Sequence, residues 1–173
     1  MCKFATEAAY ALARHGLDLL SNRPHSTFQV SQKLGKLCYT RKLRAGRKKS
    51  RLDGGWCDVA CDVVVQDAVQ VIQDAGVLDD AAYARWHVEQ RMAGPKVRSS
   101  LQLCSELFQA GIAYPIIQDV LATSYDERAM LSKAVAKLQR SSTDPHTAVS
   151  KLQKLGFDPL QASRVIQAEW SRA

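Results

Sequence analysis

Five cysteines are among the residues of this sequence that could do chemistry, and their spacing bears on metal and disulfide sites. Their number is odd and their positions are scattered, which predicts free thiols in a reducing compartment and no disulfide framework. Cys57 and Cys61 are the one close pair, and no histidine lies at the spacing of a zinc finger. We therefore expect ordinary free thiols, no metal and no other cofactor. The five are Cys2, Cys38, Cys57, Cys61 and Cys104.

The sequence contains no recognisable catalytic arrangement. There is no Ser/His/Asp pattern, HExxH motif, phosphate-binding loop or pair of carboxylates at catalytic spacing. Asp79 and Asp80 are adjacent, but they stand where a helix should begin, so helix capping explains them better than acid–base chemistry. Gly76, Gly111 and Gly156 each follow a helical stretch, which predicts helix terminators and not a phosphate cradle. We therefore expect a protein that is not an enzyme.

Positive charge is concentrated in the first third of the chain. Residues 1–52 hold twelve Lys or Arg against two acidic residues, whereas residues 53–173 hold twelve against fifteen. Seven cations fall within eleven residues, a segment that we call the cationic strap: Arg41, Lys42, Arg44, Arg47, Lys48, Lys49 and Arg51. This composition predicts a flexible segment. Contact with nucleic-acid phosphates, which releases counterions, is the functional interpretation; a solvated loop or a targeting signal is the alternative.

The elements that would position these residues are helices. Apolar residues recur at helical spacing almost throughout, and no convincing alternating strand is present. The segment 107–121 realigns 45 residues later on 152–166, which pairs Leu107 with Leu152 and Gly111 with Gly156. Self-similarity at this period is typical of a small helical unit used more than once. We therefore predict an all-α fold of three tandem three-helix, helix-turn-helix-like repeats in an elongated, curved array.

The predicted repeats have the following bounds. The first covers residues 1–78 and is interrupted by a basic loop at about 40–62, the second covers 79–122, and the third covers 123–173. Each is expected to be a long helix followed by two short ones. The longest apolar runs are about six residues, well below the roughly 18 that cross a bilayer, so no membrane span is expected.

Local signals predict where several of these helices start. Capping boxes, in which a serine hydroxyl accepts from the amide three residues later, are predicted at Ser26, Ser99 and Ser124. Asp-Pro pairs at 144–145 and 158–159 predict two further starts.

At the junction of the first two repeats the sequence resembles the RecX family, the regulators of RecA recombinase. Residues 75–91 read A-G-V-L-D-D-A-A-Y-A-x-x-x-V-x-x-R, similar to the family's A-G-L-L-D-D-x-x-F-A-x-x-(W/F)-V-x-x-R. Further matches are Leu19-Leu20-Ser21-x-Arg23, Gly94-Pro95, Glu106-Leu107 with Gly111-Ile112, and Leu152-x-Lys154-x-Gly156-Phe157. The order of the matches agrees over nearly the whole chain. The interruption at 40–62 is the main difference, so the resemblance is to a divergent member with an insertion in its first repeat.

The resemblance implies a non-enzymatic regulator, an inhibitor by expectation, that lies along the filament of a RecA-type recombinase on single-stranded DNA and modulates repair and recombination. It further implies a monomer in the cytoplasm, or in a plastid or mitochondrion if the source is eukaryotic. We expect the cationic strap to contact phosphate and the more acidic second and third repeats to face the recombinase. Four cations near the first junction are candidates for partner contact: Arg85, Arg91, Lys96 and Arg98.

Two alternatives remain open at this stage. The first is a basic helical-repeat protein that binds DNA or RNA without a recombinase partner. The second concerns Tyr83 and Trp86, which could stack on bases, although their helical spacing from Val88 favours packing in the core or between repeats. Arg91 matches a family arginine, yet an arginine near a helix end could instead serve the helix carbonyls.

Overall fold

A computed structural model of the protein describes residues 3–47, 60–141 and 144–170, with backbone alone for 3–6 and 45–47. Over these ranges the fold is all-α, as predicted, with nine helices and no strand. None of these helices is long and apolar enough to cross a membrane. The helices are α1 (Lys3–Asn22), α2 (Thr27–Arg47), α3 (Cys61–Asp74), α4 (Asp80–Ala93), α5 (Ser100–Gln109), α6 (Tyr114–Ser124), α7 (Glu127–Arg140), α8 (Pro145–Lys154) and α9 (Pro159–Trp170).

The chain divides into two compact units, Met1–Tyr83 and Ala84–Ala173. In the first unit, α1, α2 and α3 pack against one another around a single apolar core. Gly16 of α1 is buried against the side chain of Ile72 of α3, so the missing Cβ allows the two helices to approach closely. The core side chains include Leu12, Val30, Leu34, Cys38, Val64, Ala68 and Ile72.

The first unit departs from its prediction in the length of α2. This helix spans 21 residues and ends at Arg47, so the prediction of a loop from residue 40 is wrong for residues 40–47. Arg, Lys, Leu and Ala are all good helix formers, so the helix continues past its last buried side chain without an apolar stripe. The expectation of one long and two short helices is also wrong here, because α2, with 21 residues, is as long as α1, with 20.

From α4 onward, the helices repeat one pattern of lengths. Helices α4, α5 and α6 have 14, 10 and 11 residues, and α7, α8 and α9 have 14, 10 and 12. Helix α5 packs against α6, and α7, α8 and α9 pack together. A second apolar core lies among the last three helices and includes Leu131, Val135, Leu152, Phe157 and Ile166.

The turns after α5 and α8 are the same structure, 45 residues apart. Gly111 and Gly156 have φ of 81° and 86°, and Gly76 after α3 has 69°, which confirms all three as helix terminators. After α5, the amide of Ile112 donates to the carbonyl of Leu107 at 3.1 Å; after α8, Phe157 donates to Leu152 at the same distance. All four of these side chains are almost fully buried. The sequence echo therefore corresponds to a repeated Schellman turn with its apolar contact.

The predicted helix starts are confirmed at all but one position. Ser26 and Ser99 each accept a hydrogen bond from the amide three residues later, at 3.1 and 3.3 Å. Asp144 and Asp158 do the same at 3.0 and 2.8 Å. The cap predicted at Ser124 is wrong. Helix α6 continues through that residue, and Asp126 instead caps α7 by accepting from the amide of Ala129 at 2.9 Å.

The adjacent aspartates start two different helices. Asp79 accepts from the amides of Ala81 and Ala82, at 2.8 and 3.0 Å, and so caps α4. Asp80 points to α2 instead, where its Oδ1 accepts from the amide of Thr27 at 2.8 Å. Both carboxylates satisfy amides that a helix leaves without an intrahelical acceptor. Helix capping is therefore confirmed for this pair.

Candidate nucleic-acid and partner interfaces

The described part of the cationic strap lies on the last turns of α2. Arg41 and Lys42 are partly buried, and Arg44 is exposed. Arg47 is the last residue of the helix, and nothing is described of its side chain. Lys48, Lys49 and Arg51 lie outside the described residues. The helix therefore displays its first strap cations on a regular scaffold, close to the negative end of the helix dipole, where positive charge is favourable.

Next to these cations, α2 presents an exposed face that the sequence analysis did not single out. Lys36, Tyr39 and Leu43 follow one another at helical spacing and are all exposed, Tyr39 to 61% and Leu43 to 47%. An exposed tyrosine between lysine and arginine side chains combines a stacking ring with phosphate-binding groups. The sequence could have predicted this exposure, because Tyr39 does not share the helical spacing of the buried residues Val30, Leu34 and Cys38.

The second unit holds a cluster of three basic side chains around Glu106 of α5. His87 and Arg91, both on α4, donate to its Oε2 at 2.9 and 2.7 Å. Arg98, in the segment before α5, donates to Oε1 from Nε at 2.9 Å. Because a carboxylate only accepts, Nε2 of His87 carries the proton. We call these four residues the Glu106 cluster.

The electrostatics of the Glu106 cluster favour the ionised carboxylate. Burial alone would raise the pKa of Glu106, but the hydrogen bond from His87, the charge and hydrogen bond of Arg91 and the hydrogen bond from Arg98 outweigh it and lower the pKa. Both arginines contact Glu106 through Nε. Their terminal Nη groups have no hydrogen bond to any residue that the structure describes, and guanidinium donors of this kind can bind an anion.

The four predicted partner-contact residues therefore divide into two pairs. Arg91 and Arg98 meet at Glu106, whereas Arg85 and Lys96 are exposed. Arg91 lies in the last turn of α4, as the alternative of a role at the helix end requires, and its Nε in addition pairs with Glu106 of α5. His87 and Glu106 were not predicted as members of this cluster, because Glu106 lies 19 positions from His87 and 15 positions from Arg91 in the sequence.

The two aromatic residues of α4 differ from each other. Tyr83 is 5% exposed, and its hydroxyl accepts a hydrogen bond from Nε2 of Gln29 on α2 at 3.0 Å. This confirms packing as its role. Trp86 is partly buried. Among the described residues no group of three or more His, Cys, Asp or Glu side chains is arranged to hold a metal ion.

Comparison with known proteins shows a distant similarity over most of the chain. No family model matches the sequence, and no solved structure matches it. Among curated proteins, the chain is similar to Regulatory protein RecX of Yersinia enterocolitica serotype O:8 / biotype 1B (strain NCTC 13174 / 8081). The two are 26% identical over 137 residues, which cover 78% of this chain and 79% of the Yersinia protein. The similarity thus extends over most of both chains and agrees with the resemblance of the motifs.

Proposed function

We propose that this protein is a non-enzymatic regulator, and specifically an inhibitor, of a RecA-type recombinase, and that it acts as a monomer on the filament which the recombinase forms on single-stranded DNA in the cytoplasm. The observation that carries the proposal is the similarity to Regulatory protein RecX over 78% of this chain and 79% of the relative. The motif at residues 75–91 adds support, because its two aspartates accept hydrogen bonds from amides at the starts of α4 and α2.

In this proposal the first unit contacts the DNA. Each lysine or arginine that neutralises a phosphate releases counterions, so binding should weaken steeply with salt. The end of α2 offers Arg41, Lys42 and Arg44 beside the exposed ring of Tyr39. A base that stacks on this ring would add affinity without sequence preference, by about 1–3 kcal/mol. The arrangement suits an unpaired strand, whose bases are accessible, better than a closed duplex.

The second unit supplies the contact with the recombinase. Arg91 and Arg98 each contact Glu106 through Nε, and their Nη donors would suit a carboxylate on the partner. The exposed Arg85 and Lys96 would add rim charges that affect the association rate more than the final affinity. The inventory of residues 53–173, with fifteen acidic residues against twelve basic ones, offers little general attraction to DNA.

The first test is the ATPase and strand-exchange activity of a RecA-type recombinase, measured with the parent protein below stoichiometric amounts. We expect inhibition even when each molecule of this protein is matched by many recombinase subunits. No effect on either activity, together with tight salt-sensitive binding to bare DNA or RNA, would instead establish a nucleic-acid-binding protein without a recombinase partner. The net charge of the first 52 residues is the observation that favours this second candidate.

Matched variants then separate the two contacts. Changing Arg41, Lys42, Arg44 and Arg47 to alanine should weaken binding to single-stranded DNA and flatten its salt dependence, since alanine preserves the helix. The control variant changes four cations of α7 and α8 to alanine and so removes the same net charge from a different part of the protein. These cations are Lys137, Arg140, Lys151 and Lys154. Equal losses in both variants would show a general charge effect and would remove the strap as the DNA contact.

A further inference from the structure

Two thiols meet inside the first unit although they are distant in sequence. The Sγ atoms of Cys38 on α2 and Cys61 at the start of α3 lie 2.8 Å apart, and the residues are 23 positions apart in the chain. Cys38 has no exposed surface, whereas Cys61 is partly exposed. We propose that Cys38 and Cys61 form an oxidation site, at which a two-electron oxidant joins them in a reversible disulfide that fixes α3 to α2.

The packing around the pair supports this assignment. Cys38 belongs to the core shared by α1, α2 and α3, and Cys61 packs against that core. The two sulfurs are already 2.8 Å apart, close to the length of a disulfide bond, which is about 2.05 Å. A buried cysteine by itself behaves as a small apolar residue. Packing alone, however, would be satisfied by any small apolar side chain at each position. It does not require two sulfur atoms in direct contact.

The chemistry balances with hydrogen peroxide as the oxidant. Peroxide first meets the accessible Cys61, whose sulfur takes one oxygen atom to become a sulfenic acid while water leaves. The sulfur of Cys38 then attacks that sulfur, the S–S bond forms, and the hydroxyl leaves as a second water. Two thiols and one peroxide thus give one disulfide and two waters. Oxidised glutathione reaches the same product through a mixed disulfide on Cys61, with release of two glutathione thiols.

The surroundings make Cys38 the slower partner of the two. Burial, together with the hydrogen bond to Cys61, holds the pKa of Cys38 above its usual value, although the charges of Lys42 and Arg41 oppose this. The attacking thiolate is therefore scarce at neutral pH. Contact between the sulfurs compensates, since the step occurs within one molecule and needs no encounter. The order of events, Cys61 first and Cys38 second, follows from these two facts.

The disulfide would close the chain around the cationic strap. Every strap residue lies between Cys38 and Cys61 in the sequence. Closing a loop of this length restricts the unfolded chain, so oxidation should raise the unfolding midpoint of the first unit by roughly 10 °C. Formation of the bond does not depend on the proposed regulatory function, and it can be tested without DNA or recombinase.

The test uses a variant that keeps only this pair, with Cys2→Ser, Cys57→Ser and Cys104→Ser. After treatment with oxidised glutathione, the mass of the intact protein should fall by about 2 Da, the two hydrogens of the thiols. Trypsin should then cut within the strap, and the peptides that contain Cys38 and Cys61 should remain joined until a reductant is added. Adding Cys61→Ser to the variant is the matched control, in which the joined peptides should be absent.

Three results would overturn the proposal. The first is an unchanged mass after prolonged exposure to the oxidant; the second is oxidation that yields only dimers between chains. The third is a tryptic map of the oxidised protein with all five cysteines in which Cys57 is joined to Cys38 or to Cys61, and Cys38 is not joined to Cys61. If circular dichroism shows that the three serines reduce the helix content of the variant, the tryptic map of the parent protein serves as the test instead.

Discussion

The hydroxyl of Ser99 donates a 2.7 Å hydrogen bond to the backbone carbonyl of Leu155, which lies 56 positions further along the chain. The same oxygen accepts from the amide of Gln102 at 3.3 Å and so caps α5. Ser99 is completely buried, which removes water as a replacement partner. One side chain therefore satisfies both the beginning of α5 and the end of α8, and it joins the start of α5 to the turn that follows α8 within the second unit.

Gly156→Ala should destabilise the protein more than Gly76→Ala. Both glycines have a left-handed φ, 86° and 69°, that costs a side chain about 1 kcal/mol or more. At Gly156 a Cβ would also lie 2.9 Å from Oγ of Ser99, whereas at Gly76 nothing lies within 4 Å. We expect urea denaturation to give losses of about 1 kcal/mol for Gly76→Ala and at least 2 kcal/mol for Gly156→Ala. Equal losses would argue against the close approach of Ser99.

Gly16→Ala should separate α1 from α3, while Gly35→Ala should be harmless. A Cβ at Gly16 would collide with Ile72 and lie 3.6 Å from Cδ1 of Leu34, but at Gly35 it would meet nothing within 4 Å. Overpacking in a core typically costs about 1–3 kcal/mol. Alanine at Gly35, in the interior of α2, should instead add about 0.5–1 kcal/mol through helix propensity. Thermal unfolding of the two variants should shift in opposite directions, and a stabilised Gly16→Ala protein would contradict the packing.

Glu106→Gln should reduce stability at neutral pH but not in acid. The pKa of Glu106 is lowered in the folded protein, so its ionised form adds stability above the unfolded carboxyl value of about 4.3. That contribution is lost as the pH falls through the lower, folded value. We expect the variant to be about 1–2 kcal/mol less stable than the parent at pH 7, with the gap closing below about pH 4. The exposed Glu89 gives the control, because Glu89→Gln should change little at either pH. A gap that stays constant in acid would contradict the ionised cluster.

Protonation of His25 should destabilise the first unit. The buried ring donates from Nδ1 to the carbonyl of Arg23 at 2.8 Å, and Nζ of Lys33 donates to its Nε2 at 2.6 Å. Burial, then the nearby charges of Lys33 and Arg23, lower the pKa of His25 despite the bond to the carbonyl. The unfolded chain therefore binds the proton first, and stability is lost as the pH falls below about 6.5.

The measurement for His25 is the free energy of unfolding at pH 7 and pH 5. The parent protein should lose more stability over this range than His25→Gln, whose side chain does not titrate. His146→Gln, at an exposed position, should follow the parent. Identical pH profiles for the parent and His25→Gln would show that the ring is protonated without cost.

The sequence predicted those parts of the fold that depend on a few neighbouring residues. Gly111 and Gly156 end their helices because a positive φ is a local requirement, and Asp144 caps α8 through an amide three residues away. At Ser124 the local signals conflicted, since Asp126 is an equally good cap. Tyr125, between these two residues, lies in neither helix, and its hydroxyl donates to the carbonyl of Arg98 at 2.7 Å, a contact between distant segments that has no local signal.

The candidate sites were less predictable, because their members come from separate helices. The seven strap cations were visible as a cluster in the sequence, but the continuation of α2 beneath the first of them was hidden by the absence of an apolar stripe. Glu106 drew attention only through a family motif. Neither its three donors nor the contact of Cys38 with Cys61 has a characteristic spacing. The arrangement of three repeats in one curved array remains a prediction.

The two neighbouring carboxylates at the start of α4 tie distant parts of the first unit to one another. Asp79 holds the first turn of α4, and Asp80 in that turn holds the first amide of α2. If the first turn of α4 frays, α2 therefore loses an acceptor 53 positions away in the chain, and the two helix ends should open together as one cooperative unit. Amide protons near Thr27 and Ala82 would then exchange with solvent at a common opening rate. A perturbation at the start of α4 would therefore also destabilise the start of α2, the helix that displays the basic side chains.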